Sequence, residues 1–325
     1  MRGKSGPILF GVGAFLLVAA LLVKFYAYPT LAVAPHDPNS ETVLTADDAT
    51  VFDTATLSEV STSLTSTVKT VGDQDAAEEE GGDTRVYTSA TSTRDSEGNI
   101  RSRSVDRVAF DAHTAEAINC CGEYEESVEG EREEIEHEGL TVKFPFNTQK
   151  QSYDFWDSSL QETVEIEYQG TEEVGGLETY KFQHTIEPTE VSTLEVPASV
   201  VGAEGDGNVT AQRMYSNVRT LWVEPETGVV IDRQEEQNST LRYDGEDRVA
   251  VTQATLSYTD ETVQNSIDEY SGKSSMLGAV RTWVPLVLGI LGLLLVVAGV
   301  LLTLRSRSSG ETGYTSHRRD PALTR

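Results

Sequence analysis

Two uninterrupted apolar runs frame a long middle stretch of short, alternating segments. Pro7–Val23 (PILFGVGAFLLVAALLV) and Trp283–Leu304 (WVPLVLGILGLLLVVAGVLLTL) contain no charged residue. About 20 apolar residues in a helix cross a hydrocarbon core of about 30 Å, so the second run predicts a transmembrane helix over 283–304. The first run is shorter. Lys24 can snorkel from it, however, and Phe25, Tyr26 and Tyr28 suit an interface, which extends the expected helix to 7–28. Glycines recur in both, at Gly11 and Gly13 and at Gly289, Gly292 and Gly299. Such residues allow close approach, either of the two helices to each other or to a larger transporter.

Between the runs the period changes from none to two. RVYTSATSTR (85–94), a DSEGN turn and IRSRSVDRVAF (100–110) read as a hairpin. LTVKFPF (140–146), ETVEIEYQ (162–169), LETYKFQHTI (177–186), MYSNVRTLWV (214–223), VVIDRQEEQNSTLRY (229–243) and RVAVTQATLSY (248–258) read as further strands. In 177–186, Tyr180, Phe182, His184 and Ile186 share one face. The fold class expected is mainly β: an antiparallel domain over 29–259, a sandwich or a curved sheet, flanked by N- and C-terminal transmembrane α-helices. The segments 76–83, 126–139 and 200–208 read as exposed loops, and 260–282 as a polar stalk. RVAFDAHTAEAIN (107–119) and TLWVEPETGVVID (220–232) echo one another, with Phe110, Asp111, Thr114 and Ile118 aligned to Val223, Glu224, Thr227 and Ile231. Duplication and chance both explain that echo.

Charge orients the chain. Arg2 and Lys4 precede the first run, and Arg305, Arg307, Arg318, Arg319 and Arg325 follow the second. By the positive-inside rule the N-terminus (1–6) and the basic tail (305–325) are expected in the cytoplasm, with the domain outside a plasma membrane crossed twice. A cleaved signal peptide is the alternative for the first run. Ala32-Val33-Ala34 offers a small-residue site, but Pro35 would follow the cut and the apolar run exceeds the usual length. Net charge is −28, and every Asp and Glu except Glu311 and Asp320 lies between the runs. Such a surface repels nucleic acid, which is excluded as a partner, and favours solubility, cations or basic partners.

Recognisable chemistry is sparse. Neither G-x-S-x-G, a P-loop nor G-x-G-x-x-G after a strand is present, so no catalytic residue, cofactor or metal is assigned. His36, His113, His137, His184 and His317 are scattered; His137, in EIEHEG, has carboxylate neighbours, for which metal binding is the alternative to the expected solvated acidic loop, and His184 is expected in a structural role. Phe144, Phe146, Tyr153, Phe155 and Trp156 fall within KFPFNTQKQSYDFWD, and Trp222 lies in LWVEPETG. These aromatics are the candidate ligand or partner residues, and closing one end of a β core is the other reading, with Trp222 in the core beside a turn at 225–228. Cys120 and Cys121 are adjacent and are the whole cysteine complement. Outside the cytosol a disulfide is the expected state. Adjacent Cα atoms lie about 3.8 Å apart, against roughly 4.4–6.8 Å in ordinary disulfides, so a vicinal bond makes a tight corner that Gly122 tolerates. A bond between chains and two free thiols are the alternatives.

VAFDAHTAEAINCCGE, KFPFNTQKQSYDFWD, YQGTEEVGGLETYKF and LWVEPETGVVID, in that order between two apolar runs, resemble the actinobacterial family of two-pass envelope proteins called porin PorA. The resemblance runs from Met1 to about Arg307. It implies an exported β-rich domain tethered at both ends in the plasma membrane, and no reaction. A β-barrel pore needs strands with a continuous greasy face, which these Thr-, Glu- and Ser-rich segments lack. The expected function is therefore an outward domain that binds an envelope lipid, a transporter or another partner, as an accessory to glycolipid export or assembly. A scaffold for a basic partner and an oligomeric porin are the alternatives, and the oligomeric state is open.

Overall fold

The computed structural model describes residues 5–128 and 130–308. The basic ends, 1–4 and 309–325, lie outside them. Two compact units result, one of Ala32–Ser275 and one that joins the two terminal segments.

The terminal unit is helical. α1 (Ser5–Leu22) continues through a π turn at Val23–Ala27 into α2 (Tyr28–Leu31), and α5 (Val284–Ser308) follows a π turn at Ala279–Trp283. Both helices are long and apolar enough to cross a membrane. Glycine sets how closely α1 and α5 pack. A Cβ on Gly13 would meet the Gly292 carbonyl at 2.6 Å, and one on Gly299 the Phe10 amide at 2.6 Å, while Gly11 and Gly289 face open space. Removing those methyls lets the backbones touch, which is how apolar helices associate without a hydrophobic driving force.

The other unit is a curved antiparallel sheet of twelve strands: β1 (Asn39–Asp53), β2 (Ser58–Gly72), β3 (Thr84–Asp95), β4 (Ile100–Asp111), β5 (Tyr124–Val128), β6 (Glu131–Glu133), β7 (Tyr153–Asp157), β8 (Glu162–Val174), β9 (Leu177–Pro197), β10 (Asn208–Glu224), β11 (Val229–Tyr243) and β12 (Glu246–Tyr258). Their order is β6-β5-β4-β3-β2-β1-β12-β11-β10-β9-β8-β7, two meanders joined where β1 pairs with β12. The sheet curls back on itself. Leu140 bridges both Glu116, after β4, and Phe155 of β7, so the two ends of the strand order come together. Phe110 of β4, Phe182 of β9 and Leu221 of β10 consequently share one core with Tyr87, Phe144 and Ile166. The interior is filled, with Phe110, Phe144 and Phe182 all fully buried. The outward strand faces are polar: among the described residues only Leu57, Val71, Ile100 and Leu194 of this unit are large, apolar and exposed, against more than twenty on the terminal helices and beside them.

The repeated motif has one geometry. Asp111 Oδ1 accepts the amides of His113 and Thr114 and the Thr114 hydroxyl. Glu224 does the same for the amides of Glu226 and Thr227 and the Thr227 hydroxyl. Each turn closes four residues on, Ala115 to the Asp111 carbonyl and Gly228 to the Glu224 carbonyl, and both closing residues have positive φ.

Several expectations change. The segment 140–146 is not a strand, because its amides go elsewhere: Phe144 to the Gly228 carbonyl and Phe146 to that of His113, so it lies across both repeated turns. Pro145 has no amide to give a ladder. Residues 74–80 form a short helix, α3 (Gln74–Glu80), capped by Asp73 accepting the Ala76 amide, which overlaps the loop expected over 76–83. The segment 126–139 contributes to β5 and β6, and 200–208 begins in a 3₁₀ turn with Val201 buried. Residues 260–278 are helical as α4 (Asp260–Gly278). Ser274 of α4 donates to Glu224 Oε1 at 2.7 Å.

Candidate functional site

The aromatic segment divides between two environments, because successive residues of β7 point to opposite faces. Phe144, Tyr153 and Phe155 point into the core. Phe144 stacks on Phe182 at 4.5 Å, and Tyr153 meets Phe144 edge-on at 5.4 Å. Phe146 stands apart, under the Lys143 ammonium at 3.9 Å. Trp156 lies on the other side of β7, 5.1 Å from the His137 ring, with its Nε1–H on Glu125 Oε1 at 2.9 Å. Trp222 is not core: it is partly exposed and donates to Glu172 Oε2 at 2.7 Å, while Leu221 and Val223 on either side are buried. The candidates therefore do not converge on one site.

Lys143 is nearly buried and donates to the Phe144 carbonyl at 2.7 Å. Burial pushes its pKa down from 10.5 to about 7, and the Glu224 carboxylate opposes this only in part. The folded state binds this proton more weakly than the unfolded chain. Its charge therefore costs the most stability below pH 7, and the cost fades as pH rises towards 10.5. Lys143→Met is expected to raise stability at pH 6–7 by about 1–3 kcal/mol, with the gain shrinking towards pH 10. Thermal unfolding across pH checks this, and a less stable variant at pH 6 would refute it.

His137 was expected on a solvated loop and is instead fully buried. The chain beyond β6 turns inward and puts it against the curled sheet. Its Nδ1 lies 3.2 Å from Glu123 Oε2, and its Nε2 lies 3.1 Å from Asp106 Oδ1 and 3.9 Å from Glu125 Oε1. Glu123 is anchored by the Ala109 amide on its other oxygen at 2.6 Å. Burial alone would lower the His137 pKa; Asp106 and Glu123 outweigh it and raise it to about 9. None of these carboxylates was singled out from the sequence. The alternation of Glu123 and Glu125 after CCG was a usable signal, but their convergence with Asp106 depends on strand register.

Beside this cluster Cys120 and Cys121 are bonded to each other with Cα atoms 3.8 Å apart. Cys121 and Gly122 both have positive φ, and Cys120 and Cys121 pack against Ala77, Val86 and Ala109. Intact mass without reductant is expected to give no alkylated cysteine; two alkylated thiols would refute the bond.

A groove of about 820 Å³ crosses β2, β1, β12 and β11. It is lined by Asp47, Asp48, Thr50, Glu236, Gln237 and Asn238, among others. The register of β1 slips between Ala46 and Ala49 against β2, and that bulge re-aims Asp47 and Asp48.

A polar β unit with a filled core, in a chain with a long apolar helix at each end, defines a class of β protein with two candidate membrane spans. The chain belongs to the Porin PorA family, whose sequence profile matches residues 5–301. Relatives include a protein named Porin PorA from Corynebacterium amycolatum, 26% identical over 388 aligned positions covering 95% of this chain and 100% of that protein. Another of the same name, from Corynebacterium resistens, is 29% identical over 233 positions, covering 52% of this chain and 56% of that protein.

Proposed function

We propose that this is a double-anchored plasma-membrane protein whose β domain lies outside the cytoplasm and binds an envelope ligand or partner, as an accessory to export or assembly of cell-envelope glycolipid. The observation that carries this reading is the division of surface: exposed apolar side chains belong to the terminal helices, and the strands face outward with Thr, Ser, Glu and Arg. The helices then hold the chain in lipid, and the sheet works in water. The reading assigns no reaction to the chain.

Within the β domain the groove beside Asp47 and Asp48 is the proposed binding site. Its carboxylates, amides and hydroxyls suit a hydroxyl-rich saccharide head group better than an acyl chain, because the apolar interior is filled by its own side chains. The protein purified with mild detergent from its own envelope is expected to carry saccharide-bearing lipid in native mass spectrometry. The pair Asp48→Asn and Gln237→Ala is expected to lose at least about tenfold of it. A ligand-free wild type, or equal loading of the variant, sinks the reading.

The acidic lining of the same groove favours a second reading, a scaffold for a basic partner; crosslinking that recovers such a protein without lipid would select it. The relatives' name favours a third, a pore built by oligomerising chains. That reading requires conductance in planar bilayers.

A further inference from the structure

We propose that Asp106, Glu125 and His137 form a site for one divalent first-row transition-metal ion of the zinc or manganese kind, with Glu123 as the group that orients the imidazole.

Register argues for a cation there. Asp106 on β4 pairs directly with Glu125 on β5, and two like charges opposite each other on neighbouring strands repel. His137 approaches both from the segment after β6. Its imidazole is completely buried, yet Nε2 has no hydrogen-bond partner, and neither has Asp106 Oδ1. The two atoms are 3.1 Å apart. A buried ring nitrogen thus faces a carboxylate oxygen across a point where a metal ion would take the place of the Nε2 proton.

Distances fit an ion at that point. The donor atoms of Asp106, Glu125 and His137 all lie within 4.8 Å of one another. Ligands about 2.1 Å from a common ion and 3.1 Å apart subtend about 95°, and 3.9 Å corresponds to about 135°. Both angles occur in coordination compounds, so the two His137 pairings fit an ion, and side-chain rotation of Asp106 or Glu125 closes the third separation where it exceeds about 4.2 Å. The surroundings match those of bound metals as well. Glu123 accepts from Nδ1 and is itself held by the Ala109 amide, which leaves Nε2 as the liganding nitrogen in a carboxylate–histidine–metal arrangement. Glu125 is fixed by the Trp156 indole and by Gln161. One imidazole with two carboxylates suits zinc through the nitrogen and manganese through the oxygens, whereas calcium and magnesium take oxygen alone. Asp106 is partly exposed and gives the ion a way in. Once bound, the ion would clamp β4 and β5 to the segment carrying His137.

Trp156 supplies the readout, being 5.1 Å from the His137 ring and bonded to Glu125. The full chain in detergent, stripped with a chelator, is titrated with zinc or manganese chloride in millimolar magnesium and calcium, which occupy the weak carboxylate sites of so acidic a surface. The expected result is one ion bound per chain, a change in Trp156 emission that Trp156→Phe removes without removing binding, and a higher unfolding temperature. Asp106→Asn with Glu125→Gln is expected to weaken binding by at least about 100-fold, and Glu123→Gln by about tenfold. These replacements keep side-chain shape, so they decide the matter even where His137→Ala does not fold. Absence of saturable binding at one ion per chain overturns the proposal, and so does unchanged affinity in a double variant that unfolds as cooperatively as the wild type.

Discussion

Arg219→Met is expected to destabilise the β domain by about 3–5 kcal/mol, because it leaves the buried Asp157 without its cation and Glu235 with Arg233 alone. Arg219 faces Glu235 across β10 and β11. Its Nε lies 2.8 Å from Glu235 Oε1, and its Nη2 lies 3.0 Å from Asp157 Oδ2. Asp157 and Glu235 are both essentially inaccessible to water. Burial would raise the Glu235 pKa, but Arg219 and Arg233 hold it well below the usual range, helped by Gln237. Asn217 donates to its other oxygen at 2.7 Å. The loss in the variant comes from the stranded charge, not from the missing contact. Adding Asp157→Asn to Arg219→Met should therefore recover at least about 1 kcal/mol. Urea unfolding of the full chain, followed by tryptophan emission, measures both. A cost below about 1 kcal/mol for Arg219→Met would mean that the network contributes little.

The second large effect is expected at Phe144. Phe144→Ala should cost about 3–5 kcal/mol, the usual range for emptying a buried aromatic site. The ring is fully buried, stacks on Phe182 and meets Tyr153 and Phe155. The cavity cannot collapse easily, because the backbone around it is pinned. The Phe144 amide donates to the Gly228 carbonyl at 2.8 Å, and a Cβ on Gly228 would meet the Phe144 carbonyl at 2.1 Å. Phe144→Leu, which keeps most of the volume, should cost less than half as much. Equal losses for the two variants would point to a backbone effect and against the packing account.

Much of the architecture was legible because it follows from local period. Uninterrupted apolar runs with flanking basic residues mark the two long helices, and period-two alternation marks β3, β4 and β8 to β12. The segment 140–146 misled for a physical reason. Its alternation looks like a strand, but its partners are the two repeated turns, and a turn offers no ladder. His137 misled in the opposite direction. Five acidic neighbours in 131–138 suggest solvation, whereas the inward turn after β6 and the anchoring of Glu123 by Ala109 bury the imidazole.

By itself the sequence determined the two apolar helices, the strands β3, β4 and β8 to β12, the acidic character of the stretch between the runs, the adjacency of the two cysteines and the likeness of the 107–119 and 220–232 turns. These depend on residues near one another in the chain, where pattern and side-chain chemistry act directly. Only the tertiary structure decided that the sheet curls until β7 meets β5, that 144–148 straddles both turns, and that Asp106, Glu123, Glu125 and His137 converge. Each of those depends on strand register and curvature. A slip of one residue in register sends every side chain of a strand to the opposite face, and no local pattern records which register the buried core selects.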